Sequence, residues 1–194
     1  MDINKIKEVI KNDPRNKEYT KRGKEPIFQL NKGSKILIIG QAPGKKVEET
    51  GILFDDKSGD KLVNWLGIEK DTLYRKEFSI IPMDFYYPGK AKTGDKAPRK
   101  FIANEYHPIL LKELSNIELT ILVGAHAQKY YLKDNFKKNL TQTVKSFEEY
   151  LPEYFPEYFP IVHPSPLNNR WLSKNPFFEE KIVPELRKRV SNML

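Results

Sequence analysis

Three stretches of the chain are apolar almost without interruption, and two of them end at a glycine. Ile36-Leu37-Ile38-Ile39 stops at Gly40, Phe78-Ser79-Ile80-Ile81-Pro82-Met83 runs to Asp84, and Leu119-Thr120-Ile121-Leu122-Val123 stops at Gly124. Short continuous runs rich in β-branched residues predict strands buried on both faces. A fourth, shorter strand is expected at Pro160-Ile161-Val162. Between them the apolar residues change to helical spacing. Ile6, Val9 and Ile10 predict a short helix over Asn4–Asn12, broken by Asp13-Pro14. Leu62, Val63, Trp65 and Leu66 predict a second, with Ser58 as its cap, Asp60 at its positive end and Gly67 as its stop. A third runs from Arg99 towards Leu114 and must bend or restart at Pro108. A fourth follows through Ala127 to Leu132. The last starts near Pro176, repeats Phe178, Ile182, Leu186 and Val190, and should kink at Pro184. Residues 17–34 and the loop from Lys45 to Lys57 read as irregular.

Strands alternating with helices predict a three-layer α/β/α fold. Its central sheet of four strands is mostly parallel, with helices on both faces. The length fits a single domain over residues 1–194. The turns after Ile39 and after Val162 should then open on the same edge of the sheet, where ligands bind in open α/β folds. Residues 149–160 repeat Glu-Tyr-Leu-Pro, Glu-Tyr-Phe-Pro, Glu-Tyr-Phe-Pro. A proline at every fourth position makes this run extended or turning rather than helical.

Composition narrows the function classes. There is no cysteine, which excludes disulfides, thiolate metal sites, iron–sulfur clusters and cysteine catalysis. No apolar run approaches the roughly 20 residues of a membrane helix, and Met1–Lys7 lacks the apolar core of a signal peptide. No membrane partner is expected, and the cytoplasm is the default location. The formal charge of +8 suits a polyanionic partner. A lysine-rich proteome with solvated lysines explains it equally well.

The candidate chemistry sits at the two turns. Gly40-Gln41-Ala42-Pro43-Gly44 lacks the spacing of dinucleotide and phosphate loops, but its backbone N–H groups suit a flat polar ligand. A purely structural turn fits these five residues as well. His163-Pro164-Ser165-Pro166 places a histidine at a strand end, fixed by prolines, where it can donate to a leaving group. The other reading is a core-edge histidine satisfied by a carbonyl. Phe54 can stack on a planar base or simply fill the core. Asp55 and Asp56, with Asp60, are a possible metal set, but their spacing matches no calcium loop and no metal is expected.

Taken in order, these pieces resemble the uracil-DNA glycosylase superfamily. Gly40-Gln41-Ala42-Pro43-Gly44 resembles that family's water-activating and base-binding loop, in the form carried by its iron–sulfur branch. Gly51-Ile52-Leu53-Phe54-Asp55-Asp56-Lys57-Ser58-Gly59 is similar to the branch's second motif, whose Phe stacks on uracil. His163-Pro164-Ser165-Pro166-Leu167 is similar to the leaving-group histidine and minor-groove loop with its inserted leucine. The resemblance implies catalytic roles for His163 and Gln41. It implies base contacts at Gln41, Ala42 and Phe54, and DNA contacts at Pro43, Gly44, Ser58, Ser165 and Leu167. Lys57, Lys90, Lys92 and Lys174 would add phosphate affinity, though each also reads as a solvated surface charge. No cofactor is implied, because the cluster cysteines are absent. Gln41 and Ala42 stand where other branches carry a carboxylate. Ile81 stands where the iron–sulfur branch carries an Asn that reads uracil's edge, which leaves Asp84 or Asn64 as substitutes.

Three functions follow. The first is a DNA glycosylase acting on uracil or a related deaminated or damaged base in DNA, working as a monomer. The second is a base- or nucleic-acid-binding protein on the same fold without cleavage. The third is a hydrolase of free nucleosides. His163 in its Pro-Ser-Pro-Leu setting favours the first, and the missing loop carboxylate favours the second.

Overall fold

The computed structural model describes residues 2–151 and 156–194. Four strands form one sheet in the order β2-β1-β3-β4: β1 Ile36–Ile39, β2 Phe78–Ile80, β3 Leu119–Val123 and β4 Glu157–Ile161. All three pairings are parallel, so the sheet is parallel throughout rather than mostly so. Both inner strands are wholly buried, as their unbroken aliphatic runs require.

Alternation along β1 divides the core into two layers. Ile36 and Ile38 face one layer with Leu62, Trp65 and Leu66 of α4 (Lys57–Leu66) and Val183, Leu186 and Val190 of α9 (Val183–Ser191). Leu37 and Ile39 face the other. There they meet Ile6 and Ile10 of α1 (Ile3–Asn12), Ile102 and Leu110 of α5 (Lys100–Leu111), and Ala127 and Leu132 of α6 (Gly124–Leu132). Among the described residues, no helix is long and apolar enough to cross a membrane.

Several boundaries differ from the sequence expectations, each for a local reason. Residues 17–34 are not wholly irregular, since they contain α2 (Lys17–Lys21). Their Ile27–Asn31 portion covers the exposed edge of β2, with antiparallel bonds between Gln29 and Ile80. The stretch after Gly44 holds α3 (Lys45–Thr50), closed by Gly51 at φ 73°. Asp56, not Ser58, caps α4: its carboxylate accepts the Gly59 N–H at 2.9 Å. Helix α5 runs through Pro108, because Pro108 and Asn104 lie on the exposed face and water can serve the freed carbonyl. The irregularity expected at Pro184 falls one turn earlier, as a π-helical turn over Phe178–Ile182. That wide turn leaves room for the proline ring. Strand β2 is shorter than its apolar run, and β4 starts earlier than expected and ends at Ile161. Pro160 is tolerated because β4 is an edge strand. Two further short α-helices are α7 (Leu140–Lys145) and α8 (Asn169–Lys174). The centre of the Glu-Tyr-x-Pro repeat, residues 152–155, lies outside the described residues.

Candidate active site

Parallel strands end together, so the turns after β1 and β4 meet at the carboxyl edge of the sheet. A cleft of about 630 Å3 opens there. The nine residues to which the resemblance gives catalytic, base or DNA contacts all line it: Gln41, Ala42, Pro43, Gly44, Phe54, Ser58, His163, Ser165 and Leu167. Of the four lysines named for phosphate affinity, Lys90 lines it and Lys57, Lys92 and Lys174 do not.

The first wall is the turn after β1. The Gly40 carbonyl accepts the Met83 N–H at 3.0 Å, and the Gln41 carbonyl accepts the Asp84 N–H at 3.2 Å. These bonds carry the pairing of β1 with the β2 side beyond the regular ladder and hold the turn against it. A Cβ on Gly40 would lie 3.6 Å from Cζ of Phe54, so the aromatic ring stands directly over the turn.

Phe54 has φ 56°, a left-handed conformation that costs a non-glycine residue about 1–3 kcal/mol. Its surroundings enforce it. Tyr74 donates to the Leu53 carbonyl at 2.8 Å, and Asp55 pairs with Lys70 at 3.1 Å and Lys46 at 3.4 Å. The hydrogen bond from Lys70 holds the Asp55 carboxyl below its usual range, against the effect of burial. On the other side, a Cβ on Gly59 would collide with the Phe54 carbonyl, so α4 packs there only with glycine.

Asp56 follows. One carboxylate oxygen caps α4, and the other faces the first turn, 3.8 Å from where a Cβ on Gly44 would lie. No lysine or arginine pairs with Asp56 among the described residues. The two acids beside it are engaged otherwise, since Lys70 bridges Asp55 and Asp60.

His163 stands beyond the end of β4. Its Nδ1 accepts the Ser165 N–H at 3.1 Å, so the neutral ring carries its proton on Nε2. Its carbonyl accepts the Asn168 side-chain amide at 2.9 Å. Gly124, at φ 82°, lets the start of α6 approach: a Cβ there would lie 3.5 Å from that of His163. Buried Gln128 donates to the carbonyls of Ile161 and Leu122, tying the ends of β4 and β3 together. Burial lowers the His163 pKa from its usual value, while the charges of Asp56 and Asp95 oppose that shift. At neutral pH the ring is therefore a neutral Nε2–H donor.

A hairpin supplies the remaining wall. Lys90 and Asp95 form an antiparallel bridge, closed by bonds between Ala91 and Gly94 and between Lys96 and Gly89. Lys90, Thr93, Gly94 and Asp95 line the cleft, and Leu167, 72 % exposed, reaches to within 3.6 Å of the Cβ position of Gly94.

The substitutes named for the missing edge-reading Asn do not reach the site. Asp84 is fully buried in a bidentate pair with Arg99, and the Asn64 carbonyl and side chain accept from Arg187. Ile81 is fully buried; its neighbour Pro82 lines the cleft instead. Three features escaped the sequence reading: Asp56 as a cleft carboxylate, given a role only within a metal set; Asn168 as the brace of His163; and the hairpin that joins Lys90, named only as a phosphate-binding lysine, to Asp95. The cap spacing from Asp56 to Gly59 was the one local signal for the first of these.

An aromatic ring over a glycine turn, a carboxylate unpaired with any cation among the described residues and a tautomer-fixed imidazole thus share one cleft. In agreement with this arrangement, residues 27–187 match the model of the uracil DNA glycosylase superfamily, and the chain belongs to that superfamily.

Proposed function

We propose that the protein is a monofunctional DNA glycosylase that removes uracil or a related deaminated base. The observation that carries this reading is His163: its Nδ1 is occupied by the Ser165 N–H, and it lines the same cleft as Phe54. An extruded base enters the cleft and stacks on Phe54. Backbone groups of Gln41 and Ala42 meet its polar edge. As the bond from C1′ to the base nitrogen stretches, its electron pair moves onto the base. The Nε2–H of His163 donates to the base oxygen where negative charge collects. Asp56 supplies the carboxylate that the Gly40–Gly44 turn lacks. It balances the developing sugar cation and takes a proton from the water whose oxygen bonds to C1′. The products are free base and an abasic sugar. Pro43, Gly44, Ser58 and Ser165 hold flanking phosphates, and Leu167 fills the vacated stack.

The test uses end-labelled oligonucleotides carrying uracil, hypoxanthine, xanthine or a T·G mismatch, followed by alkali to break abasic sites. Cleavage that falls by at least about 100-fold in His163→Ala supports the reading. The rival is a base-binding protein without cleavage, favoured by the absence of any carboxylate on the Gly40–Gly44 turn. A gel shift with no strand breaks at stoichiometric protein selects that rival. Breakdown of free nucleosides alone would select a nucleoside hydrolase.

A further inference from the structure

Neither Asp84 nor Arg99 lines the cleft, yet both connect to it through one backbone bond. The Asp84 N–H donates to the Gln41 carbonyl, and the Asp84 carboxylate is fully buried. That carboxylate accepts the Tyr86 N–H at 3.1 Å, the Arg99 N–H at 3.1 Å, and Nε and Nη2 of Arg99 at 2.8 Å each. The remaining arm of the guanidinium reaches the N-terminal part of the chain. Nη1 donates to Oδ1 of Asn16 at 2.9 Å and to the Arg15 carbonyl at 3.3 Å. Asn16 is itself fully buried and donates to the Ile10 carbonyl at the end of α1. The guanidinium also stands 4.6 Å from the ring centre of Tyr19 in α2, which in turn stacks on Tyr86.

We propose that Arg99 is a positioning residue for the Gly40–Gly44 turn, and that the segment Asn16–Tyr19 is the anchor that aims it. This segment lies outside the 27–187 span of the superfamily match. The inference rests on the glycosylase reading of that turn. A buried ion pair is a poor source of stability, since well-packed apolar side chains serve as well or better. What the planar fork supplies is geometry: both Asp84 oxygens are fixed, and with them the N–H that holds Gln41. Lysine keeps the charge but cannot hold two oxygens and Asn16 at once.

The test compares three variants of the full chain with the unmodified protein. Arg99→Lys removes the fork. Asn16→Ala removes the anchor and leaves the Arg99–Asp84 pair in place, so it serves even where Arg99→Lys fails to fold. Leu186→Ala, in the opposite layer, controls for lost stability alone. Amide exchange at Asp84 and single-turnover excision of uracil are measured at temperatures where each variant is folded, with DNA affinity measured separately.

Expected are faster Asp84 exchange and an excision rate about tenfold lower in Arg99→Lys, with DNA affinity within about twofold. Asn16→Ala should show a smaller change in the same direction. Identical exchange and rate in these variants and in Leu186→Ala would overturn the proposal, as would faster exchange with an unchanged rate. If the unmodified protein excises no base, the glycosylase reading fails. Asp84 exchange alone then decides whether Arg99 holds the turn.

Discussion

Two carboxylates flank the Gly40–Gly44 turn, and the fold treats them in opposite ways. Asp84 is fully buried and saturated: two backbone N–H groups and both ends of an arginine fork consume its oxygens. Asp56 lines the cleft, spends one oxygen on a helix cap and has no cation partner among the described residues. Both are aspartates in loops close to glycines or prolines, so residue type and local sequence do not separate them. Their partners do. A carboxylate whose lone pairs are filled by Arg99 is part of the frame, whereas one with a free oxygen in a cleft can accept a proton.

The largest expected effect breaks this comparison if it fails. Asp56→Asn should lower the single-turnover excision rate by about 10²–10⁴-fold. It should leave stability nearly unchanged, because Asn caps a helix as well as Asp does. A rate within twofold of the parent would remove Asp56 from the chemistry. Next in size, Asp84→Asn should destabilise the fold by about 3 kcal/mol, read from urea unfolding, because it removes the buried counter-ion of the half-buried Arg99. Equal unfolding midpoints for the two variants would show that burial does not distinguish these acids.

A third difference should appear in pH dependence. In the proposed mechanism His163 donates as the neutral ring, and burial lowers its pKa. The acid limb of the rate profile should therefore lie below the ordinary histidine value of about 6.5. The Asp56 charge favours the protonated ring, so Asp56→Asn should move the limb of the residual activity further to acid. Asp84→Asn should leave it in place. A shift towards alkali in Asp56→Asn would contradict the electrostatics of the cleft. The smallest effect concerns the hairpin. Exposed Lys92 would add phosphate affinity, so Lys92→Ala should reduce the slope of log affinity against log salt by about 1.

Much of this site was legible because its parts are local. Ile36–Ile39 and Leu119–Val123 announce inner strands by being aliphatic throughout, and their parallel order puts the Gly40 and His163 turns on one edge. The short helix α3 was hidden because Val47 is its one buried residue, too little for an apolar period to register. Ser58 and Asp56 are both good caps, and the choice between them is tertiary: Gly59 must fit against Phe54, and the helix starts two residues earlier than a Ser58 cap would place it. Asp84 looked available because its partner Arg99 lies 15 residues away and is itself aimed by Asn16. Such pairings follow from packing, which no local pattern encodes.

The glycine at position 59 has a consequence for what the cleft can be made to accept. Helix α4 abuts the Phe54 carbonyl with no room for even one carbon, so the backbone under the ring has nowhere to retreat. The height of the chamber above Gly40 is then set by the thickness and reach of the side chain at 54, like a spacer between two fixed plates. Redesign of the protein for a broader or narrower base should start by exchanging that one ring for a larger or smaller side chain, with the main chain around it left untouched.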